Sequence, residues 1–110
     1  MVYDEGVAQR VREAMRNQKN VVEKKMFGGL AFMVRGNMCC GVVRDELMVR
    51  VGADGYEAAL SQPHARKMDF TGKPLKGFVY VAEPGFESDK DLKGWIDQAV
   101  KFARSLPAKR

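Results

Sequence analysis

Histidine is nearly absent from this chain, and that scarcity narrows the chemistry before any fold is considered. His64, beside Pro63, is the single imidazole in 110 residues, and no Gly-x-Ser-x-Gly elbow accompanies it. A hydrolase that activates a nucleophile with a neighbouring base therefore has no recognisable pair to use. Phosphate loops are missing too. Thr71-Gly72-Lys73-Pro74 lacks the preceding glycine frame and has proline where a helix should begin, and Gly28-Gly29 is no dinucleotide fingerprint. The paired acids Asp45-Glu46 and Asp89/Asp91 fall in a turn and at a helix start, where solvation and capping account for them. No catalytic residue, enzyme activity or cofactor is expected.

Cysteine is scarce as well. Cys39 and Cys40 are adjacent, so a regular strand would point them to opposite faces and leave them badly placed to pair. Only His64 could join them, too few ligands for a zinc site of protein groups. They read as small apolar strand residues, and no metal ligands are expected. The alternative is a small-ligand or metal site around Cys39, Cys40 and His64. Apolar runs near the ~20 residues of a membrane span are absent. Asp4 and Glu5 stand where a secretory signal would be basic and then apolar, which predicts a cytoplasmic protein away from membranes. Repeats, linkers and low-complexity tracts are also lacking, so residues 1–110 read as one domain.

What is present is an ordinary globular composition, 45% hydrophobic and 30% charged. The net charge of +5 is unevenly spread. Residues 1–25 hold six bases and four acids, 64–77 hold four bases against Asp69, and 83–97 hold five acids against two lysines. A protein facing phosphate all round would not carry that acidic block, although a basic patch on one face remains open.

Periodicity supplies the elements. Val7, Val11, Ala14 and Met15 recur at helical spacing, predicting a first helix over Asp4–Gln18 capped by Asp4. Arg12, Arg16 and Lys19 then share its outer face. Strands follow at Val21–Phe27, Leu30–Val34, Met38–Val43 and Leu47–Val51, with Gly28-Gly29 and Gly36-Asn37 as tight turns and Arg44-Asp45-Glu46 as the third. Leu47, Val49 and Val51 alternate with Met48 and Arg50, as in a sheet with one covered face. Asp54 and Glu57 have capping-box spacing and open a short helix over Asp54–Ser61, with Tyr56, Ala59 and Leu60 inward; Pro63 ends it. Residues 62–77 read as irregular, and Phe78–Val81 as one more strand. Ser88 and Asp91 form the next capping box, followed by Leu92, Trp95, Ile96, Ala99, Phe102, Ala103 and Leu106 at helical spacing, with Pro107 as the stop. The expected fold is α+β, an antiparallel sheet of about five strands with N-terminal, middle and C-terminal helices packed on it.

Two groups of polar residues are candidate binding sites. The first is the loop holding His64, Arg66, Lys67, Asp69 and Lys73, flanked by Met68 and Phe70. Pairing of Asp69 with Arg66 or Lys67 would instead make it a structural pin. The second is Arg12, Arg16, Lys19, Lys24 and Lys25, a set of cations that would suit a nucleic-acid backbone.

Met26-Phe27-Gly28-Gly29, Gly36-Asn37-Met38-Cys39-Cys40-Gly41, Leu47-Met48-Val49-Arg50-Val51 and Met68-Asp69-Phe70-Thr71-Gly72-Lys73-Pro74 together resemble the TfoX/Sxy N-terminal domain family. Gly77-Phe78-Val79-Tyr80-Val81 and the Trp95 helix fit the same pattern, from about Val11 to Pro107. The resemblance implies an α+β domain with a core like that of type III secretion chaperones. It also implies a bacterial protein in transcription regulation, since the best-known members control natural competence as coactivators with the cyclic-AMP receptor protein. Those members carry a further C-terminal helical domain, and this chain ends where it would begin, as expected of a stand-alone N-domain. The family supplies no catalytic residues.

The resulting expectation is a protein-binding domain with an unidentified partner, possible contact with nucleic acid being the alternative. Unpaired strand edges and seven methionines add the expectation of a homodimer built on the sheet or its edge.

Overall fold

The computed structural model describes residues 3–26, 28–68 and 76–108. Helix α1 (Glu5–Met15) begins where the Asp4 carboxylate accepts the Val7 N–H at 3.1 Å. It is shorter than the expected Asp4–Gln18. The chain leaves the helix after Met15 and turns through Asn20, whose φ of 63° is left-handed, so Lys19 lies off the helix face that carries Arg12. Four strands follow: β1 (Val21–Met26), β2 (Gly29–Val34), β3 (Asn37–Val43) and β4 (Glu46–Arg50). Helix α2 (Gly52–Leu60), β5 (Ala65–Lys67), β6 (Phe78–Val81), a 3-10 turn over Glu83–Phe86 and helix α3 (Asp89–Ser105) complete the order.

The sheet is antiparallel throughout, ordered β1-β2-β3-β4-β6-β5. It has six strands where about five were expected, because Ala65–Lys67 pairs with β6 inside the stretch read as irregular. Turn chemistry also differs in detail. The β2–β3 turn is Arg35-Gly36, both at positive φ, and Asn37 instead pairs with Val34 as the first residue of β3. Gly28 takes positive φ as expected, whereas Gly29 serves close packing: a Cβ there would lie 2.2 Å from the Val42 carbonyl oxygen. Helix α2 starts at Gly52, with Val51 as its N-cap and no side-chain cap bond, so Asp54 is not the predicted cap. The Ser88 cap is as expected, its hydroxyl accepting the Asp91 N–H at 3.0 Å.

All three helices bury their apolar stripes on one face of the sheet, against Leu30, Phe32, Val42, Leu47, Val49, Val79 and Val81. From α3 come Leu92, Trp95, Ile96, Ala99, Val100 and Ala103; Phe102 and Leu106 are only half-buried. Trp95 packs inward, and its indole N–H donates to the Gly85 carbonyl at 3.2 Å. The opposite face is not bare. Ala31, Met38, Val43, Met48, Met68 and Tyr80 form a second buried cluster there, with Met33 and Phe78 at its margin. The expectation of a single covered face is therefore corrected.

A bulge explains one more departure. Phe32 pairs with Cys40 and Met33 with Met38, so Cys39 is an extra residue in β3. Its insertion resets the alternation, and Cys39 and Cys40 both join the helix-facing core instead of parting to opposite faces.

Candidate functional site

The loop residues do not converge. His64 is exposed in the turn before β5, at φ 70°, against Gly85. Arg66 lies on the outer face of β5, where its guanidinium stacks 4.6 Å above the Tyr80 ring and pairs with Glu46, which Arg44 also approaches at 3.6 Å. Lys67 is exposed and alternates to the other side of the strand. Asp69 and Lys73 lie outside the described residues; among those described, Glu46 is the acid paired with Arg66.

The basic set is divided as well. Arg12 bonds Glu23 through Nε at 2.8 Å and Glu5 through Nη1 at 2.6 Å, and these carboxylates, Glu23 foremost, raise its pKa further. Arg16 stands 3.8 Å from Glu13. Lys24 and Lys25 are exposed on opposite sides of β1, and Lys19 sits in the preceding turn, where its carbonyl accepts from Arg104. No single face gathers all five cations.

Cys39 and Cys40 are buried free thiols. The neighbouring Cys39 thiol and then burial hold the Cys40 pKa well above the ordinary thiol range. His64 cannot complete a site with them. It precedes β5, three strands from β3, a separation of roughly 14 Å at ~4.8 Å per strand. Among the described residues no three His, Cys, Asp or Glu side chains converge as a metal site.

The residue missed from the sequence is Arg50. At the end of β4 its guanidinium carbon lies 5.3 Å from the ring centre of Phe78, its cross-strand neighbour, and 5.3 Å from that of Phe102 on α3. Nη1 donates to the Met38 carbonyl at 3.3 Å. Among the described residues Arg50 has no ion pair, and its remaining donors are uncommitted. Gly52 makes this clamp possible: it takes φ +81°, and a Cβ there would strike the Phe102 ring at 2.3 Å. Two rings thus hold a planar cation in place without neutralising it.

Arg50 ends an apolar band that crosses the outer face. Val22 pairs with Met33 and Met33 with Met38, whose carbonyl Arg50 binds, and Phe78 lies beyond. Val22 is 60% exposed, the one large hydrophobic so exposed among the described residues. Met33, Arg50 and Phe78 are half-buried. Methionine, aromatic rings and arginine are the groups enriched at the centres of protein interfaces. Among the helices described, none is long and apolar enough to cross a membrane.

No curated protein matches the chain. The profile of the TfoX N-terminal domain covers residues 13–103, the stretch that contains the sheet, the Arg50 clamp and nearly all of α3, and the chain belongs to that family.

Proposed function

We propose that this domain acts by binding a protein, with no catalysis of its own, and that its partner docks on the outer face of the sheet around Arg50. The observation that carries the reading is the Arg50 guanidinium, clamped between Phe78 and Phe102 with no acid paired to it among the described residues, at the end of a band that runs through Met38 and Met33 to Val22. Such an arginine is ordered before binding, so contact with a carboxylate sacrifices little side-chain freedom. Family membership supports a role as an accessory in transcription control, of the kind that regulates competence, in the cytoplasm.

The test is affinity capture from a bacterial extract, with the captured protein then purified for direct binding. Arg50→Ala should lose it, and Arg50→Lys should bind weakly because an ammonium lacks the planar fork. Equal binding by wild type and Arg50→Ala would move the docking site elsewhere. Nucleic-acid binding through Arg16, Lys19, Lys24 and Lys25 predicts duplex or single-stranded DNA binding that weakens steeply with salt. Absence of binding to either at low salt would remove that reading.

A second reading concerns the occupant of the sheet edge. Arg35 donates its backbone N–H to the Asn20 carbonyl at 3.1 Å, which sets the phase of the β1–β2 ladder. By alternation Val22, Lys24 and Met26 bond to β2, while the backbone groups of Val21, Glu23 and Lys25 point away from the sheet. Among the described residues no strand covers this edge, which favours pairing with a second copy of the chain.

A further inference from the structure

The Met15 and Cys40 sulfurs meet beneath α1, and Cys39 shares their core cluster. The bulge turns Cys39 and Cys40 to the same, helix-facing side of β3, which a regular strand would not do. Met15, the last residue of α1, reaches down to Cys40, its Sδ 3.7 Å from Cys40 Sγ. All three are buried in one apolar cluster.

Two thiols and a thioether form a donor set that soft ions prefer over oxygen and nitrogen ligands. The spacing suits such an ion. With metal–sulfur bonds of about 2.3 Å, two ligands of a trigonal ion stand ~4 Å apart, close to the 3.7 Å between Met15 and Cys40. A groove on the surface reaches the thioether as well. A surface groove of about 280 Å3 between α1 and β1 is lined by Met15, Val21 and Phe32, with Arg12, Arg16 and Glu23 on its walls. Phe32 is the cross-strand neighbour of Cys40, so the groove ends on Met15 and Phe32 with the two buried thiols behind that floor.

We propose that Met15, Cys39 and Cys40 form a binding site for a soft, thiophilic metal ion. On binding, each cysteine exchanges its S–H bond for a metal–sulfur bond, and two protons leave to solvent. Met15 contributes a lone pair, and no electron is transferred. A divalent soft ion with two thiolates is neutral, which suits an apolar core, whereas Cu(I) leaves one negative charge. Hg(II) is therefore the tighter probe and Cu(I) the weaker. Zn(II), which takes four ligands in closed structural sites, is the control.

The whole chain is titrated anaerobically with Hg(II), Cu(I) or Zn(II) against a chromophoric competitor, while sulfur-to-metal charge transfer and near-UV circular dichroism are followed. One Hg(II) should bind per chain with the native dichroism retained, Cu(I) more weakly, and Zn(II) should stay with the competitor. Cys39→Ala and Cys40→Ala should each weaken Hg(II) binding by about 100-fold or more, and Met15→Leu by roughly tenfold. Met15→Leu keeps the core volume and decides the matter if a cysteine variant fails to fold. Binding by Met15→Leu as tight as wild type, or metal uptake only as the native dichroism is lost, would overturn the site.

Discussion

The Asn37 side chain donates from Nδ2 to the Pro107 carbonyl at 2.9 Å, tying the first residue of β3 to the chain beyond α3. Asn37 is 2% exposed, the one buried polar residue among the described residues. Asn37→Ala should cost about 1–3 kcal/mol, since it leaves the Pro107 carbonyl without this donor. Urea denaturation checks the loss, and the amides of Leu106 and Ala108 should exchange faster in the variant. Unchanged exchange there would mean that α3 packing alone holds the segment.

Neighbouring glycines should respond differently to alanine. At Gly28 the backbone is left-handed at φ +72°, but a Cβ meets nothing within 4 Å. Gly28→Ala should therefore cost only the conformational penalty, about 1–2 kcal/mol, and Gly28→Asn less. Gly29→Ala drives a methyl into the Val42 carbonyl and the Val43 side chain, at 2.2 and 2.9 Å. Because a backbone atom cannot swing aside, its cost should exceed that at Gly28, at roughly 3 kcal/mol or more. The two midpoints in one denaturant series test the order.

Trp95 couples the inner core to the 3-10 turn through its indole N–H. Trp95→Ala should destabilise by about 3–5 kcal/mol, because it removes a large core side chain and leaves a cavity. A loss below ~1 kcal/mol in chemical denaturation would contradict the packing of α3 on the sheet.

The long amphipathic repeat of α3 was legible in the sequence because Ser88, Leu92, Trp95, Ile96 and Ala99 carry local information: a cap and a stripe. Strand alternation likewise placed Leu47 and Val49 inward. Features set by distant contacts were not legible. Gly36-Asn37 reads as a turn in isolation, yet Asn37 is drawn into β3, where its partner is Pro107. Ala65–Lys67 has no apolar alternation and becomes a strand only beside β6, with Arg66 held by Glu46 and Tyr80. No glycine or proline marks the Cys39 bulge. Arg50 was visible as an outward cation in an apolar strand, but not its clamp, since Phe102 arrives from α3.

Cys40 should give the protein a pH dependence on the alkaline side. Folding raises its pKa through the Cys39 thiol and burial, so the native state keeps a proton that the unfolded chain releases. This contribution is fully present below the unfolded thiol pKa of about 8.5 and is lost as pH rises above it toward the native value. Cys40→Ala should therefore show a shallower fall in unfolding free energy above pH ~8.5 than wild type, whatever its absolute stability. Parallel curves for the two proteins would mean that the thiol ionises equally in both states.

The free edge of β1 gives the last prediction. Its outward backbone groups belong to Val21, Glu23 and Lys25, so an antiparallel copy can pair about a two-fold axis at Lys24. That register sets Glu23 of one protomer opposite Lys25 of its partner, and the reverse, giving two favourable cross-strand pairs. It also sets Lys24 against Lys24, a like-charge contact that keeps the association weak. Sedimentation equilibrium should thus show a monomer–dimer equilibrium at high micromolar concentration. Lys25→Pro should abolish it: the substitution removes an outward N–H without breaking a bond to β2, a position an edge strand tolerates. Lys24→Thr should tighten it by removing the repulsion and adding a β-branched residue. A wild-type chain that stays at 12.3 kDa throughout would exclude self-pairing and leave the β1 edge open to a strand of another protein.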